Sequence, residues 1–184
     1  MFNLWIGNLG KYNEGELVGE WIQLPYTEEE LHKLYARIQV GYFDENGDYV
    51  HGSEEDGSFY EEIFIADYET DLPITIEQYS NLDSLNELAS LTELSQGSNR
   101  DAIKALLEVS DSWEEAIQIY NSGDFWYQGG LRDTDDLGVY VVQEGLFECE
   151  IPDSLMNYID YEAIGRDWEM NGNFTEEGFV YLYK

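Results

Sequence analysis

The stretch EEDGSFYEEIFIADYETD, residues 54–71, decides how the fold of this chain is interpreted. Its centre, from Phe59 to Tyr68, has the apolar and β-branched character of a strand that belongs in a packed core. The same stretch carries eight carboxylates and no lysine or arginine. A segment that is expected to fold has therefore accumulated negative charge with no basic side chain to neutralise it.

The imbalance of charge extends over the whole chain. It has 40 acidic residues against 8 basic ones, for a net charge of −32 over 184 residues. Between Arg37 and Arg100 lie 15 carboxylates and no cation, and between Arg132 and Arg166 lie a further 9. Such a charge makes DNA, RNA and anionic lipid surfaces poor partners, because all three are polyanions. The composition favours a basic partner.

The apolar content indicates that this acidic chain folds. Self-repulsion can keep acidic sequences disordered. Here Leu, Ile, Val and Phe make up about 26% of the residues, above the roughly 20% below which disorder is the better interpretation. Because repulsion falls when charges are spread along an axis, we expect small consecutive modules in an elongated molecule.

Hydrophobic periodicity predicts an α+β fold with three modules. Residues 1–72 form an N-terminal antiparallel sheet with one helix, 73–122 a helical middle module, and 123–184 a C-terminal sheet with short helices. In the last module, alternating apolar residues in GVYVVQEGLF, 138–147, predict a strand. Pro152 at a helix start and a glycine-containing end predict one or two short helices after it.

Two local signals in the first module are specific. Thr27 and Glu30 have the N-cap to N3 spacing of a capping box, which predicts a helix from Thr27 to Ile38. Asn46-Gly47 lies between alternating apolar residues, which predicts a tight β-hairpin. The middle module is predicted from a stripe of leucines at helical spacing, Leu82, Leu85, Leu88, Leu91 and Leu94.

The sequence predicts a cytoplasmic protein that does not enter a membrane. MFNLWIGNLG lacks the basic start and the apolar run of a signal peptide, and no apolar stretch approaches the ~18 residues of a membrane span. The single Cys149 excludes an internal disulfide and suits a reducing compartment.

No pattern of catalytic residues is recognisable, so we predict a protein that is not an enzyme, with no catalytic residues, cofactor or metal. Neither histidine, His32 or His51, belongs to a motif of nucleophilic catalysis. No phosphate-binding glycine loop or zinc-binding pattern is present. Carboxylate pairs at workable separation are inevitable among 40 acidic residues, so they neither support nor exclude acid–base catalysis.

DENGDYVHGSEE, 44–55, resembles a calcium-binding loop. Asp44, Asn46, Asp48 and Glu55 occupy its positions 1, 3, 5 and 12. Position 6 requires glycine for a sharp turn, and Tyr49 stands there instead. We therefore interpret this segment as a hairpin turn.

A rigid display of carboxylates can imitate a polyanion. Ordinary domains are soluble with a net charge of magnitude about 2–8, so solubility alone does not explain −32. At one charge per ~1.7 Å of duplex, this charge corresponds to roughly 54 Å of DNA. Helical neighbours ~5–6 Å apart and alternate strand residues ~6.6 Å apart could reproduce phosphate spacing. The predicted rows are Glu108, Asp111, Glu114 and Glu115; Asp83 and Glu87; and Asp67, Glu69 and Asp71.

Three long segments carry a family resemblance. GNLGKYNEGELVGEWIQLP at 7–25, LPITIEQYSNLDSLNELA at 72–89 and IPDSLMNYIDYEAIGRDWEMNGNF at 151–174 resemble the ArdA antirestriction family. The resemblance implies a DNA mimic carried by bacterial mobile genetic elements. It also implies an elongated homodimer that occupies the DNA-binding groove of type I restriction-modification enzymes and inhibits restriction, and often modification, without hydrolysis. Residues 38–60 depart from the pattern because the segment is longer than in shorter family members.

The carboxylates predicted to contact the enzyme lie in the cation-free region and the helices that follow it. They are Glu54, Glu55, Asp56, Glu61, Glu62, Asp67, Glu69, Asp71, Glu77, Asp83, Glu87, Glu93, Glu108, Asp111, Glu114 and Glu115. The alternative is an acidic calcium-binding or salt-adapted structural or interaction protein, which predicts a large stabilisation by calcium or a requirement for molar salt to fold. An acidic chaperone for a basic protein is a third interpretation.

Overall fold

The computed structural model describes residues 1–55, 57–95, 97–146 and 151–183. It has a mixed α+β fold with an N-terminal sheet, a helical middle and a C-terminal sheet, which confirms the predicted fold class. The chain divides into two compact units, Met1–Leu94 and Ser95–Lys184. The finer division into three modules stays a prediction.

The first unit is built on a three-stranded antiparallel sheet. Strand β1 (Phe2–Asn8) lies in the centre, between β2 (Gly19–Gln23) and β7 (Ile63–Thr70). Leu4 and Ile6 alternate along β1 and are fully buried, so one face of the sheet covers the core.

Two helices follow the first two strands. Helix α1 (Leu9–Asn13) begins at Asn8, whose side chain accepts a hydrogen bond from the Lys11 amide. Helix α2 (Glu28–Arg37) begins at Thr27, and both hydrogen bonds of the capping box are formed, which confirms that prediction.

Two short hairpins connect α2 to β7. Strands β3 (Gly41–Phe43) and β4 (Tyr49–His51) form the predicted hairpin, and β5 (Ser53–Glu55) pairs with β6 (Ser58–Tyr60). Within the first turn, the Asp44 carboxylate accepts from the amides of Asn46 and Asp48, and Gly47 adopts φ +87°. The residues of the apparent calcium loop therefore form a hairpin turn, as interpreted from the sequence.

Helix α3 (Leu82–Leu94) completes the first unit. Its buried face includes Leu85 and Leu88, which confirms the centre of the leucine stripe. Leu94, the last leucine of the stripe, is 83% exposed, so the stripe does not face the core along its whole length. Asn86 holds the helix against the segment before α2, since its side chain accepts from the Tyr26 amide at 2.7 Å and donates to the Tyr26 carbonyl at 3.0 Å.

The second unit alternates helices with a small sheet. Its helices are α4 (Ser98–Val109), α5 (Trp113–Ser122), α6 (Thr134–Gln143) and α7 (Tyr161–Glu169), with a 3-10 helix at Asp153–Tyr158. Its strands are β8 (Phe125–Gly129), β9 (Gly172–Phe174) and β10 (Gly178–Leu182). The sheet is antiparallel with β10 in the centre. Leu137, Val141 and Phe179 form the core beneath it.

The strand predicted for 138–147 is wrong, because most of that segment belongs to α6. Asp133 caps the helix by accepting from the Asp136 amide at 2.9 Å. Leu137 and Val141 are fully buried one turn apart, which is the spacing of a helix face. The β-branched valines of this segment resemble a strand locally, but the cap and the buried face favour a helix. Residue 147 lies outside the described ranges.

Helices α6 and α7 approach each other through two glycines. A Cβ atom at Gly138 would overlap the Tyr161 carbonyl oxygen, and one at Gly165 would overlap the Thr134 carbonyl oxygen. Only glycine allows the two backbones to pack this closely. No helix within the described ranges combines the length and the apolar character needed to cross a membrane.

Candidate partner-binding surface

The predicted carboxylates lie almost entirely on the surface. Of the sixteen, Asp56 is outside the described residues and Glu114 is half-buried. The exposed ones in the first unit are Glu54, Glu55, Glu61, Glu62, Asp67, Glu69, Asp71, Glu77, Asp83, Glu87 and Glu93, and those in the second are Glu108, Asp111 and Glu115. In each unit, these carboxylates are therefore accessible to solvent or to another molecule.

Many carboxylates are stabilised by the N-terminus of a helix. The partial positive charge of the exposed amides there stabilises an anion by about 0.3–1 kcal/mol. The first turn of α2 contains three glutamates, and the amide and hydroxyl of Thr27 lower the pKa of Glu30 by donating to its carboxylate. Acidic residues in the first turns of the later α-helices are Asp83 of α3, Asp101 of α4, Glu114 and Glu115 of α5, Asp135 and Asp136 of α6, and Glu162 of α7. Backbone groups thus supply part of the stabilisation that lysine or arginine gives elsewhere.

The sheet of the first unit places two predicted carboxylates on one face. Asp67 pairs with Trp5 and Glu69 pairs with Asn3, so both carboxylates point to the side opposite the Leu4 core. Asn3 donates to the Glu69 carboxylate at 3.1 Å. Asp71 follows the end of β7, and its carboxylate lies 3.2 Å from the amino group of Met1.

The helical rows are only partly as predicted. Asp83 and Glu87 lie one turn apart on α3 and are both exposed, as expected. The single row of Glu108, Asp111, Glu114 and Glu115 is wrong, because α4 ends at Val109 and α5 begins at Trp113. The extended conformation of Ser110 (φ −89°, ψ 151°) breaks the helix between them. Glu115 then turns back to accept from the Asp111 amide at 2.8 Å.

One predicted carboxylate is in an internal ion pair. The Glu55 carboxylate lies 2.8 Å from Nζ of Lys11, whose side chain is 9% exposed. The same ammonium lies 4.7 Å from the centre of the Tyr60 ring, and the Tyr60 hydroxyl donates to Glu14 at 2.8 Å. Sequence reasoning missed this contact because the two residues are 44 positions apart in the chain and neither belongs to a local motif.

Comparison with models of protein families shows to which family this chain belongs. The model of the family described as Antirestriction protein (ArdA) matches residues 4–181. The chain belongs to the ArdA family of antirestriction proteins. A comparison with curated proteins finds no significant match.

Membership of ArdA establishes the general activity. ArdA proteins are antirestriction proteins that inhibit restriction enzymes, and the family is non-catalytic, so the prediction that this chain is not an enzyme is confirmed. Within the described ranges of this ArdA chain, no three His, Cys, Asp or Glu side chains are grouped so that they could hold a metal ion.

A second carboxylate interaction in this ArdA protein was not anticipated. Burial, and next the neighbouring carboxyl of Glu108, raise the pKa of Glu177, which lies between β9 and β10. Oε2 of Glu177 is buried and makes no hydrogen bond among the described residues. Glu108, by contrast, accepts from the Glu176 amide at 3.3 Å. Two acidic residues 69 positions apart in the chain give no sequence signal for such proximity.

Proposed function

We propose that this ArdA protein is a DNA mimic that occupies the DNA-binding groove of type I restriction-modification enzymes. Its carboxylates replace DNA phosphates at the basic side chains of that groove, and no covalent step is involved. Occupation of the shared methyltransferase and specificity core inhibits both restriction and modification. The protein acts in the cytoplasm of a bacterium that carries the mobile genetic element encoding it.

One observation carries the proposal: the predicted carboxylates are exposed, and many of them are held on helices and strands. Fourteen of them are exposed, and the groups at helix starts and on the β7 face are held by elements of the fold before any partner binds. A preorganised ligand loses less conformational freedom on association. A disordered acidic chain would lack this advantage.

Affinity in this mechanism is distributed over many contacts. An exposed ion pair contributes only about 0–1 kcal/mol, so no single carboxylate dominates. The summed field of −32 charges also accelerates the encounter with a basic groove. Neutralising four or five scattered carboxylates should therefore reduce inhibition gradually.

The proposal includes a homodimer, which would roughly double the length of duplex that is imitated. Sedimentation over a range of protein concentrations, at two ionic strengths, measures the mass of the particle. A particle of the monomer mass of 21.3 kDa at every concentration contradicts this part of the proposal alone.

Competition with DNA tests the central claim. A purified type I methyltransferase is incubated with a labelled duplex containing its recognition site, and the protein is titrated in. We expect the duplex to be displaced, with weaker displacement as the salt concentration rises, because each contact is an ion pair. Duplex binding that is unchanged at saturating protein refutes the mimic.

A further inference from the structure

The first unit contains a surface cleft beside β7. Its volume is about 430 Å³, and the residues that line it include Tyr12, Leu17, Phe64, Asp67 and Tyr68. Phe64 is buried at the base, whereas Tyr12 and Leu17 are 52% and 69% exposed at the rim. We call this feature the Tyr12 cleft.

The aromatic rings of Tyr12 and Phe64 pack against each other at the cleft. The ring centres of Tyr12 and Phe64 are 5.0 Å apart at an angle of 46°, so the two rings form adjoining walls rather than a closed stack. Phe64 is fixed from the other side by Trp5, whose ring meets it edge-on at 6.2 Å. Because Phe64 is buried and Tyr12 is exposed, the Tyr12 ring is the one that can attract a cation through its quadrupole.

A β-bulge brings a carboxylate to these rings. The pairing of β1 with β7 shifts by one residue between Trp5 and Ile6, so Ala66 is the extra residue on β7. In consequence, Phe64 and Asp67 point to the same face of the sheet although they are three residues apart. Oδ1 of Asp67 accepts from the Tyr68 amide at 2.8 Å, which fixes the carboxylate at the cleft wall.

The protein's own cations do not complement this site. No lysine or arginine lines the cleft within the described part of the chain. Lys11, the neighbour of Tyr12 in the sequence, is turned towards Glu55 and Tyr60 instead. The cleft thus combines aromatic faces, an apolar rim and a fixed anion in a molecule of net charge −32.

We propose that the Tyr12 cleft receives an arginine side chain from the DNA-binding groove of the restriction enzyme. This inference rests on the proposed function, since it names one residue type that the partner inserts. Guanidinium is planar, weakly hydrated and able to stack on aromatic faces while it pairs with a carboxylate, whereas the ammonium of lysine is compact and strongly hydrated. Charge complementarity to Asp67 favours a cation, and stacking on the Tyr12 ring favours arginine over lysine.

The cleft adds a contact that differs physically from the rest of the surface. Pairing of exposed charges weakens steeply with salt, but stacking and burial of the apolar rim do not. The cleft therefore retains part of the affinity at salt concentrations that screen the scattered carboxylates. It acts as an anchor within an otherwise distributed interface.

Competition assays with rim variants test this anchor. We expect Tyr12→Ala to raise the concentration needed for half-displacement of duplex by roughly three- to thirty-fold, the range of a cation–π contact. The increase should persist at raised salt, and Tyr12→Phe should retain most of the potency because the ring remains. Tyr42→Ala is the matched control, since Tyr42 is 49% exposed in the same unit but does not line the cleft.

A second pair of variants keeps the test decisive if Tyr12→Ala fails to fold. Asp67→Asn should weaken displacement more than Glu62→Gln, an exposed carboxylate outside the cleft. If wild-type protein displaces duplex while Tyr12→Ala and Asp67→Asn match their controls, the cleft proposal is overturned and the mimic stands.

Direct binding separates the two proposals fully. N-acetyl-arginine amide is titrated into the protein while the Tyr12 ring resonances are followed by NMR, with the neutral citrulline analogue as control. We expect shifts with the arginine compound that are several-fold larger than with citrulline. Equal shifts, or none, overturn the cleft proposal whatever the competition assay gives, whereas shifts without duplex displacement would overturn the mimic instead.

Discussion

Nζ of Lys11 lies 2.8 Å from the Glu55 carboxylate and joins helix α1 to the β5–β6 hairpin. Glu55 is the largest cause of the raised pKa of Lys11, which lies against the Tyr60 ring. A lysine with a raised pKa stabilises the fold below its ordinary titration range, and this contribution is lost only as the pH rises through the folded pKa. The pair is therefore fully formed at neutral pH.

Glu55→Gln should lower Tm at neutral pH, because it leaves the largely buried Lys11 ammonium without its nearest carboxylate. Glu54→Gln, at the exposed neighbouring position, is the control. It should leave Tm unchanged or raise it slightly, since it only relieves repulsion. Thermal unfolding followed by circular dichroism compares the two, and equal shifts of the same sign would contradict a stabilising pair.

Glu177→Gln should raise the stability of the second unit at neutral pH. The pKa of Glu177 is raised, so the folded state binds its proton more tightly than the unfolded chain does. Stability from this group is present below the unfolded pKa and is lost as the pH rises through the folded pKa. The carboxyl of Glu108 raises the pKa of Glu177 further, while the charge of Lys104 lowers it. Burial, and next the charges of Asp101 and Glu177, raise the pKa of Tyr127 to about 12.

Tm measured at about pH 4.5, near the ordinary pKa of a glutamate, and at about pH 7.5 checks this expectation. The gain from Glu177→Gln should be larger at the higher pH. Glu176→Gln is the matched control, since Glu176 is exposed and contributes only its backbone amide to Glu108. The same gain at both pH values would show that the carboxyl of Glu177 does not titrate with a raised pKa.

Gly165→Ala should destabilise the second unit by about 1–3 kcal/mol, the usual range for overpacking. The new methyl group would overlap the Thr134 carbonyl and force α6 away from α7. At an exposed helical position the same change would stabilise by up to about 1 kcal/mol, so the sign itself is diagnostic. Denaturant unfolding measures the difference, and Asp167→Ala on the exposed side of α7 is the control. Stabilisation by Gly165→Ala would show that the helices do not pack this closely.

Removal of divalent cations should leave Tm unchanged at low salt. Asp44, the first residue of the apparent calcium loop, already accepts from two backbone amides, which lower its pKa. Glu55, the last residue, is paired with Lys11. A melting curve in chelator, repeated with excess calcium, checks this expectation. A large rise of Tm with calcium, or unfolding in chelator, would favour the calcium-binding or salt-adapted alternative.

Local signals predicted the elements that they specify. Thr27 and Glu30 make their capping box, Asn46 and Gly47 form their hairpin, and the central leucines of α3 face the core, because each pattern involves residues within a few positions of one another. The same holds for the exposure of the carboxylates, since charged side chains are seldom buried without partners.

Features that depend on distant contacts could not be predicted in this way. Helix α6 contains β-branched valines of strand-like character, and its packing against Gly165 is a contact between separate elements. Its Asp133 cap, by contrast, is a local signal that favours a helix and that the strand prediction did not use. The proximity of Lys11 to Glu55 and of Glu108 to Glu177 arises only when separate elements come together. No proline or glycine marks the break between α4 and α5 at Ser110 in the sequence.

The attachment of carboxylates to helix starts has a consequence for how such a surface can change over generations. The first-turn amides of a helix accept aspartate or glutamate at any of several adjacent positions. An acidic residue at such a position can be exchanged or shifted without a compensating change in a distant lysine or arginine. Sequence divergence can therefore be extensive while the electric field presented to an enzyme stays nearly constant.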